Sequence, residues 1–226
     1  MIICQNCGYE GAEKYCSKCG QVLEAKRISL PYLIHEVIHT FTHLEKGYVY
    51  TMRELAFRPG TMQKNYLSGL RLRYQKPFPM FTICGTFCAT ALYLIYRNAA
   101  DTTDEYFYKN YYFLVQATML PFYSLVTYLL FYSSKLFYAE ALVLNVYMVG
   151  FMSVIIIPIN LLSFVLPNGI ISLMEVIFLL TYNVWTYVNI FKGKSTWWII
   201  VKSILSIVLC YLMFNYASRL VMAWLM

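Results

Sequence analysis

Five stretches of the chain are long, apolar and almost free of charge: residues 78–96, 112–132, 136–158, 170–191 and 196–216. Each can cross the roughly 30 Å hydrocarbon core of a bilayer as one α-helix, which takes about 20 residues. Backbone N–H and C=O groups in lipid need partners inside their own segment, so the spans are helices and not loops. Composition agrees. Of 226 residues, 60% are apolar and 13% charged, against about 25% charged in an ordinary soluble domain. One core cannot hide that much apolar surface, which excludes a simple cytosolic enzyme. Disordered, collagen-like and disulfide-scaffold classes fail on the same count. The expected fold is an all-α membrane protein of about five transmembrane helices.

Two segments precede the spans, giving three regions: 1–22, 23–77 and 78–226. In the first, Cys4-Gln5-Asn6-Cys7-Gly8 and Cys16-Ser17-Lys18-Cys19-Gly20 are two copies of one turn. Two thiolates three positions apart point at one ion, and the following glycine lets backbone N–H groups turn toward sulfur. Four thiolates suit one structural Zn2+ in a closed tetrahedral site. The segment is too short for a core of its own, so the metal supplies its folding energy. Iron or a redox dithiol is the alternative chemistry for this pattern. The opening Met1-Ile2-Ile3-Cys4 has neither a basic n-region nor an apolar h-region. The expectation is therefore a cytoplasmic N-terminal tail, where thiols stay reduced. Cys84, Cys88 and Cys210 lie in apolar runs and read as small packing residues.

The second region reads as an amphipathic neck. Ser29 and Pro31 start a helix whose apolar positions include Leu30, Leu33, Ile34, Val37, Ile38 and Phe41. His35, His39 and His43 fall one turn apart on the opposite face, and His35-Glu36-Val37-Ile38-His39 satisfies the HExxH pattern of zinc hydrolases. There two imidazoles hold the metal and the glutamate is general base. The glycine and third histidine of the longer zinc-protease pattern are missing, so three solvated or headgroup-bound histidines are the competing reading. Beyond Arg58-Pro59-Gly60, a helix stop and turn, Met62, Tyr66, Leu70 and Tyr74 recur every four residues among Lys64, Arg71, Arg73 and Lys76. That pattern predicts a basic amphipathic helix on the inner leaflet, with its cations facing anionic headgroups. The net charge of +7 needs no nucleic acid to explain it, because the cations flank apolar segments and no base-reading motif accompanies them.

Lysine and arginine also set the expected direction. With the N-terminus inside, the inner side holds Arg53, Arg58, the four neck cations, Lys135, Lys192 and Lys194. The first outer loop sets Arg97 and Lys109 against Asp101, Asp104 and Glu105. The bias favours five crossings from a cytoplasmic N-terminus. Charges inside spans are costly unless paired or hydrated. Glu140 and Lys202 fall near one side and Glu175 and Arg219 near the other, so two ion pairs to the last span are expected; snorkelling is the bland alternative. The small residues Cys84, Gly85, Cys88 and Ala89 give the first span a face that another helix can approach closely.

These motifs, in this order, resemble a bacterial family of zinc-ribbon membrane proteins of unknown function. The likeness rests on the two CxxCG turns, Arg58-Pro59-Gly60, and Tyr66-Leu67-x-Gly69-x-Arg71-x-x-Tyr74-x-x-Pro77. Tyr138-Ala139-Glu140 and Lys192-Gly193-Lys194-Ser195-Thr196-Trp197 are similar to later blocks. In that family a histidine often follows the span-three glutamate, where Ala141 stands here. The resemblance implies a bacterial cytoplasmic membrane and no reaction. A second likeness, to five-span Yip-type proteins, is of topology alone.

Three functions are carried forward. The first is a non-enzymatic docking, scaffold or regulatory protein, with the bilayer and a cytoplasmic protein as partners. The second is a small transporter or lipid-handling protein using Glu140 and Asn145, as a homo-oligomer. The third is a membrane hydrolase using His35, Glu36 and His39.

Overall fold

In the computed structural model, residues 2–23, 29–30, 47–97, 106, 110–134, 136–191 and 195–225 are described. Strands β1 (Ile2–Ile3) and β2 (Glu10–Gly11) form a minimal antiparallel ribbon, and seven α-helices follow among the described residues. They are α1 (Tyr48–Phe57), α2 (Pro59–Leu67), α3 (Pro77–Tyr96), α4 (Tyr112–Leu130), α5 (Tyr138–Leu161), α6 (Asn168–Ile190) and α7 (Thr196–Leu225). The last five are each long and apolar enough to cross a membrane. Their outward side chains fit that reading. Phe87, Leu114, Leu129, Leu173 and Leu212 all stand exposed, which is tolerable in lipid and not in water.

Helix α5 is the axis of the bundle. It is apolar on nearly every face, the pattern of a helix buried all round, and Val143, Leu144, Val146 and Tyr147 are completely or almost completely covered. Helices α3, α4 and α6 pack on it, while α7 packs on α4 and α6. The small-residue face of α3 does admit close neighbours. Cys84 and Cys88 are fully buried, and a Cβ on Gly85 would run into the Phe113 ring of α4. On α5, a Cβ at Gly150 would lie 3.3 Å from the Phe81 Cα of α3.

Three sequence expectations change. The third span does not stop at Pro158: α5 runs through it to Leu161 and continues as a 3-10 turn, Leu162–Phe164. A proline removes one N–H and crowds the carbonyl a turn earlier, a disruption that neighbouring helices can absorb in membrane proteins. The last helix extends past Tyr216 to Leu225. The basic helix predicted through Met62, Tyr66, Leu70 and Tyr74 breaks after Leu67, where Gly69 adopts φ 112. Met62, Tyr66 and Tyr74 are not spread on a leaflet either; they belong to the same core as Leu144, Tyr147 and Tyr182.

That core explains how the short helices are held. Arg58 closes α1 and opens α2, with Pro59 at the first helical position where its missing N–H costs nothing. Helix α2 then lies against α6 so closely that a Cβ on Gly60 would stand 2.5 Å from both Thr186 O and Asn189 Cβ. The loop after α2 is pinned by two buried hydrogen bonds. Gln75 N–H donates to Thr51 Oγ1 at 2.7 Å, and Tyr147 OH of α5 donates to Gln75 O at 2.6 Å.

Candidate metal centre

The N-terminal ribbon is a twelve-residue unit used twice. Ile3 pairs with Glu10, and twelve positions later Tyr15 pairs with Val22. Within each unit the backbone closes identically: Gly8 N–H donates to Cys4 O and Gly20 N–H to Cys16 O, at 2.8 and 2.7 Å. Cys4 N–H then donates to Tyr9 O, and Cys16 N–H to Gln21 O. Gly8 and Gly20 have φ of 73° and 75°, the left-handed region in which a Cβ is penalised. The turn chemistry of each CxxCG thus aims two sulfurs at a common point.

All four sulfurs, of Cys4, Cys7, Cys16 and Cys19, lie within 4.8 Å of one another. The closest approaches cross between units, Cys4 to Cys19 at 3.6 Å and Cys7 to Cys16 at 3.5 Å. Metal–sulfur bonds of about 2.3 Å in a tetrahedron place sulfurs about 3.8 Å apart. The donor set therefore fits one tetrahedral ion. Proton chemistry favours the same conclusion. A hydrogen bond from the Gln21 backbone, helped by the Asn6 side chain, lowers Cys19 from 9.0 to about 6. Tyr9's backbone lowers Cys7 as well, but burial and the three neighbouring thiols outweigh it and push Cys7 up to about 12. Four thiolates so close cannot all ionise beside one another; a cation among them removes the conflict.

The ribbon is docked on the helical domain. Gln21 is 6% exposed, and its Nε2 donates to Gly69 O at 2.6 Å, in the turn that ends α2. Arg73 reaches Asn6 O at 3.5 Å. Arg71 also stands over the Tyr66 ring at 5.9 Å. Lys64 is exposed on α2, and Lys76 precedes α3 and is half-buried. Sequence reasoning missed Gln21 and its contact with Gly69. Glutamine after a CxxCG turn carries no signal of its own.

Three of the four charges within the apolar helices make polar contacts among the described residues. Glu140 is buried and reaches back from the first turn of α5 to accept the Phe137 backbone N–H at 2.9 Å, the geometry of a capping carboxylate. Lys202 points to Ser133 Oγ at 3.4 Å and sits 6.0 Å from the Phe131 ring. Glu175 accepts from Asn160 Nδ2 at 2.6 Å, and Arg219 is exposed on α7. Asn145 bridges helices, donating to Thr127 Oγ1 of α4, which in turn contacts Tyr187 OH of α6. Such polar contacts between helices are worth about 0.6–2 kcal/mol each in lipid. Among the described residues, Asn145 and Glu175 line an internal cavity of about 140 Å³; Glu140 is not in that lining.

His35, Glu36, His39 and His43 lie outside the described residues, as do Asp101, Asp104, Glu105, Lys109, Lys135, Lys192 and Lys194. Between α1 and α3, Gln63 and Gln75 are each 1% exposed, and their side-chain amides have no hydrogen-bond partner among the described residues.

Residues 45–88 match a family described as protein of unknown function (DUF3667). The match spans α1, α2, the pinned loop and the first half of α3. It includes Arg58-Pro59-Gly60 and the Tyr66-to-Pro77 block, so the chain is similar to that family over its short helices and first span. No curated protein matches the chain, and no solved structure does.

Proposed function

We propose that this is a non-enzymatic membrane protein whose N-terminal ribbon holds one structural zinc and serves as a cytoplasmic docking or regulatory module. Its home on this reading is a bacterial cytoplasmic membrane, with the N-terminus inside. The observation that carries the reading is the four-sulfur cluster on a ribbon fastened to the membrane domain through Gln21 and Gly69. Zinc supplies folding free energy to a segment with almost no core. Cys4, Cys7, Cys16 and Cys19 saturate a tetrahedral ion, which leaves no open position for substrate. The remaining exposed ribbon surface, which includes Ile3, Tyr9, Tyr15 and Val22, is what a protein partner would meet.

Elemental analysis of the purified full chain tests this. One zinc per chain, lost in Cys7→Ser with the bundle still folded, is the expected result. Zinc that persists in Cys7→Ser but disappears in a His35→Ala, His39→Ala variant would move the metal to the neck and favour the hydrolase. Iron in place of zinc would replace a structural role with a redox one.

A further inference from the structure

The two short helices differ in what they turn outward. Helix α2 and the residue after it expose Thr61, Lys64 and Ser68, a polar surface that water can cover. Helix α1 exposes Val49 (79%), Phe57 (70%) and Tyr50 (42%). Val49, Arg53 and Phe57 recur every four residues, so they form one stripe along the helix. Thr51 and Leu55, on the other side, are completely buried. Large apolar side chains on the outward face of a helix are not what an aqueous surface selects.

The place of α1 against the spans accounts for the difference. Helix α3 is 20 residues long, about 30 Å at 1.5 Å per residue, which is just the thickness of the hydrocarbon core. Its first turns therefore lie at the edge of that core. Tyr48 OH is 3.3 Å from Cys84 Sγ, and Cys84 S–H donates to Met52 Sδ at 3.9 Å. Cys84 is seven residues past Pro77, about 10 Å along α3. Tyr182 OH of α6 donates to Leu55 O at 3.1 Å. Tyr182 is eight residues from the end of α6, about 12 Å. Helix α1 is thus held beside the spans, bridging α3 and α6, and not beyond their ends. Helix α2 meets α6 nearer the water, at Thr186 and Ile190 in its last turns.

Charge completes the pattern. Arg53 stands between Val49 and Phe57 on the stripe, and Arg58 follows directly at its end; both are exposed. Glu54, the acidic residue of α1, is half-buried and lies about 100° further round the helix than Arg53. Two guanidiniums flanked by apolar side chains complement phosphate at the acyl boundary. Arginine grips phosphate through a planar fork while its stem lies along apolar surface.

We propose that α1 is a docking helix for anionic phospholipid. Val49 and Phe57 enter the acyl region of the adjacent leaflet, and Arg53 and Arg58 hold the phosphates of anionic headgroups. The leaflet contact moves from the basic stretch 64–76, where the sequence suggested it, to the outward face of α1. The inference does not depend on the ribbon, its metal or the direction of the spans.

The test uses the full chain in nanodiscs of equal parts phosphatidylcholine and phosphatidylglycerol. The photo-crosslinker p-benzoylphenylalanine is placed at Phe57 or, as control, at Thr61, and intact-mass analysis after irradiation reads what was captured. At Phe57 lipid adducts should form, with phosphatidylglycerol favoured about fivefold, the order that one arginine supplies at an anionic surface. At Thr61 lipid adducts should be rare. Arg53→Gln combined with Arg58→Gln should bring the two lipids to equal capture at Phe57. Equal capture with both arginines present would overturn the proposal, because headgroup charge would then play no part. So would the absence of lipid adducts at Phe57, or capture of a second copy of the chain in their place. Lipid yields at Thr61 matching those at Phe57 would overturn it too, since both short helices would then be immersed alike. If the double arginine variant does not fold, the ratio of the two lipids with both arginines present still decides.

Discussion

The crossing of α2 and α6 gives a sharp prediction, because one missing methyl group sets the distance between two backbones. Replacing Gly60 by alanine adds a Cβ that would meet Thr186 O and Asn189 Cβ at 2.5 Å and Ile190 N at 3.0 Å. Ordinary contact is nearer 3.5–4 Å, so the helices must separate by about 1 Å. None of the three obstacles is the end of a flexible side chain; two are backbone atoms and one is a Cβ. Forcing an extra methyl into such a contact costs about 1–3 kcal/mol. Alanine's better helix propensity returns at most about 1 kcal/mol, and less at the second position of a helix. The net expectation is a loss of about 1–2 kcal/mol. Gly169 is the control: it also occupies the second position of its helix, α6, and a Cβ there meets nothing within 4 Å. Gly169→Ala should be neutral or slightly stabilising. Reversible denaturant titration of both variants in mixed micelles, followed by circular dichroism, reads the difference. A Gly60→Ala protein as stable as the Gly169→Ala protein would refute the close crossing, and with it the packing of α2 on α6.

Two further outcomes follow. Tyr147→Phe removes the donor to Gln75 O, leaving a buried carbonyl without its partner. It should cost about 1–3 kcal/mol in the same titration, and no loss would mean water replaces the hydroxyl. In zinc-stripped protein at pH 7.5, Cys19, lowered to about 6, is thiolate, whereas Cys7, raised to about 12, stays protonated. Iodoacetamide followed by peptide mass mapping should find Cys19 modified well before Cys7. The depressed Cys19 group favours the folded ribbon above its ordinary value of 9.0, and that contribution fades as pH falls through about 6. Cys7 has the opposite sign: its contribution is present below 9.0 and lost as pH rises toward 12. Equal reaction of the two thiols would remove the basis for both statements.

The helical class and the five spans were legible because hydrocarbon imposes a length and forbids loops, and composition alone reports that constraint. The four cysteines were legible because CxxCG encodes both the ligands and the turn that aims them. What sequence did not disclose is what the spans and the neck do to one another. A four-residue recurrence at Met62, Tyr66, Leu70 and Tyr74 looks like one wet-and-dry helix, yet Gly69 ends it and the bundle covers most of its apolar members. Periodicity reports that a face is apolar and not whether lipid or protein covers it. Depth along the spans suggested Glu140 and Lys202 as partners, and depth says nothing of the further contacts each makes, the Phe137 backbone N–H for Glu140 and the Ser133 hydroxyl for Lys202. Glu175 falls within an apolar helix, as the sequence placed it, but its neighbour Asn160 carries no sequence signal of being a carboxylate's partner.

The central place of α5 also bears on how the chain is made. Spans emerge from the ribosome in order, and α3 and α4 come first. In the finished bundle α3 packs far more extensively on α5 than on α4, with Phe81 and Phe113 among the few residues that join the first two directly. Those spans therefore do not form a self-sufficient hairpin on insertion. The face of α3 that holds Cys84 and Cys88 waits in the bilayer until α5 is synthesised. Assembly is thus paced by the third span, and a defect in α5 would leave α3 without its main partner.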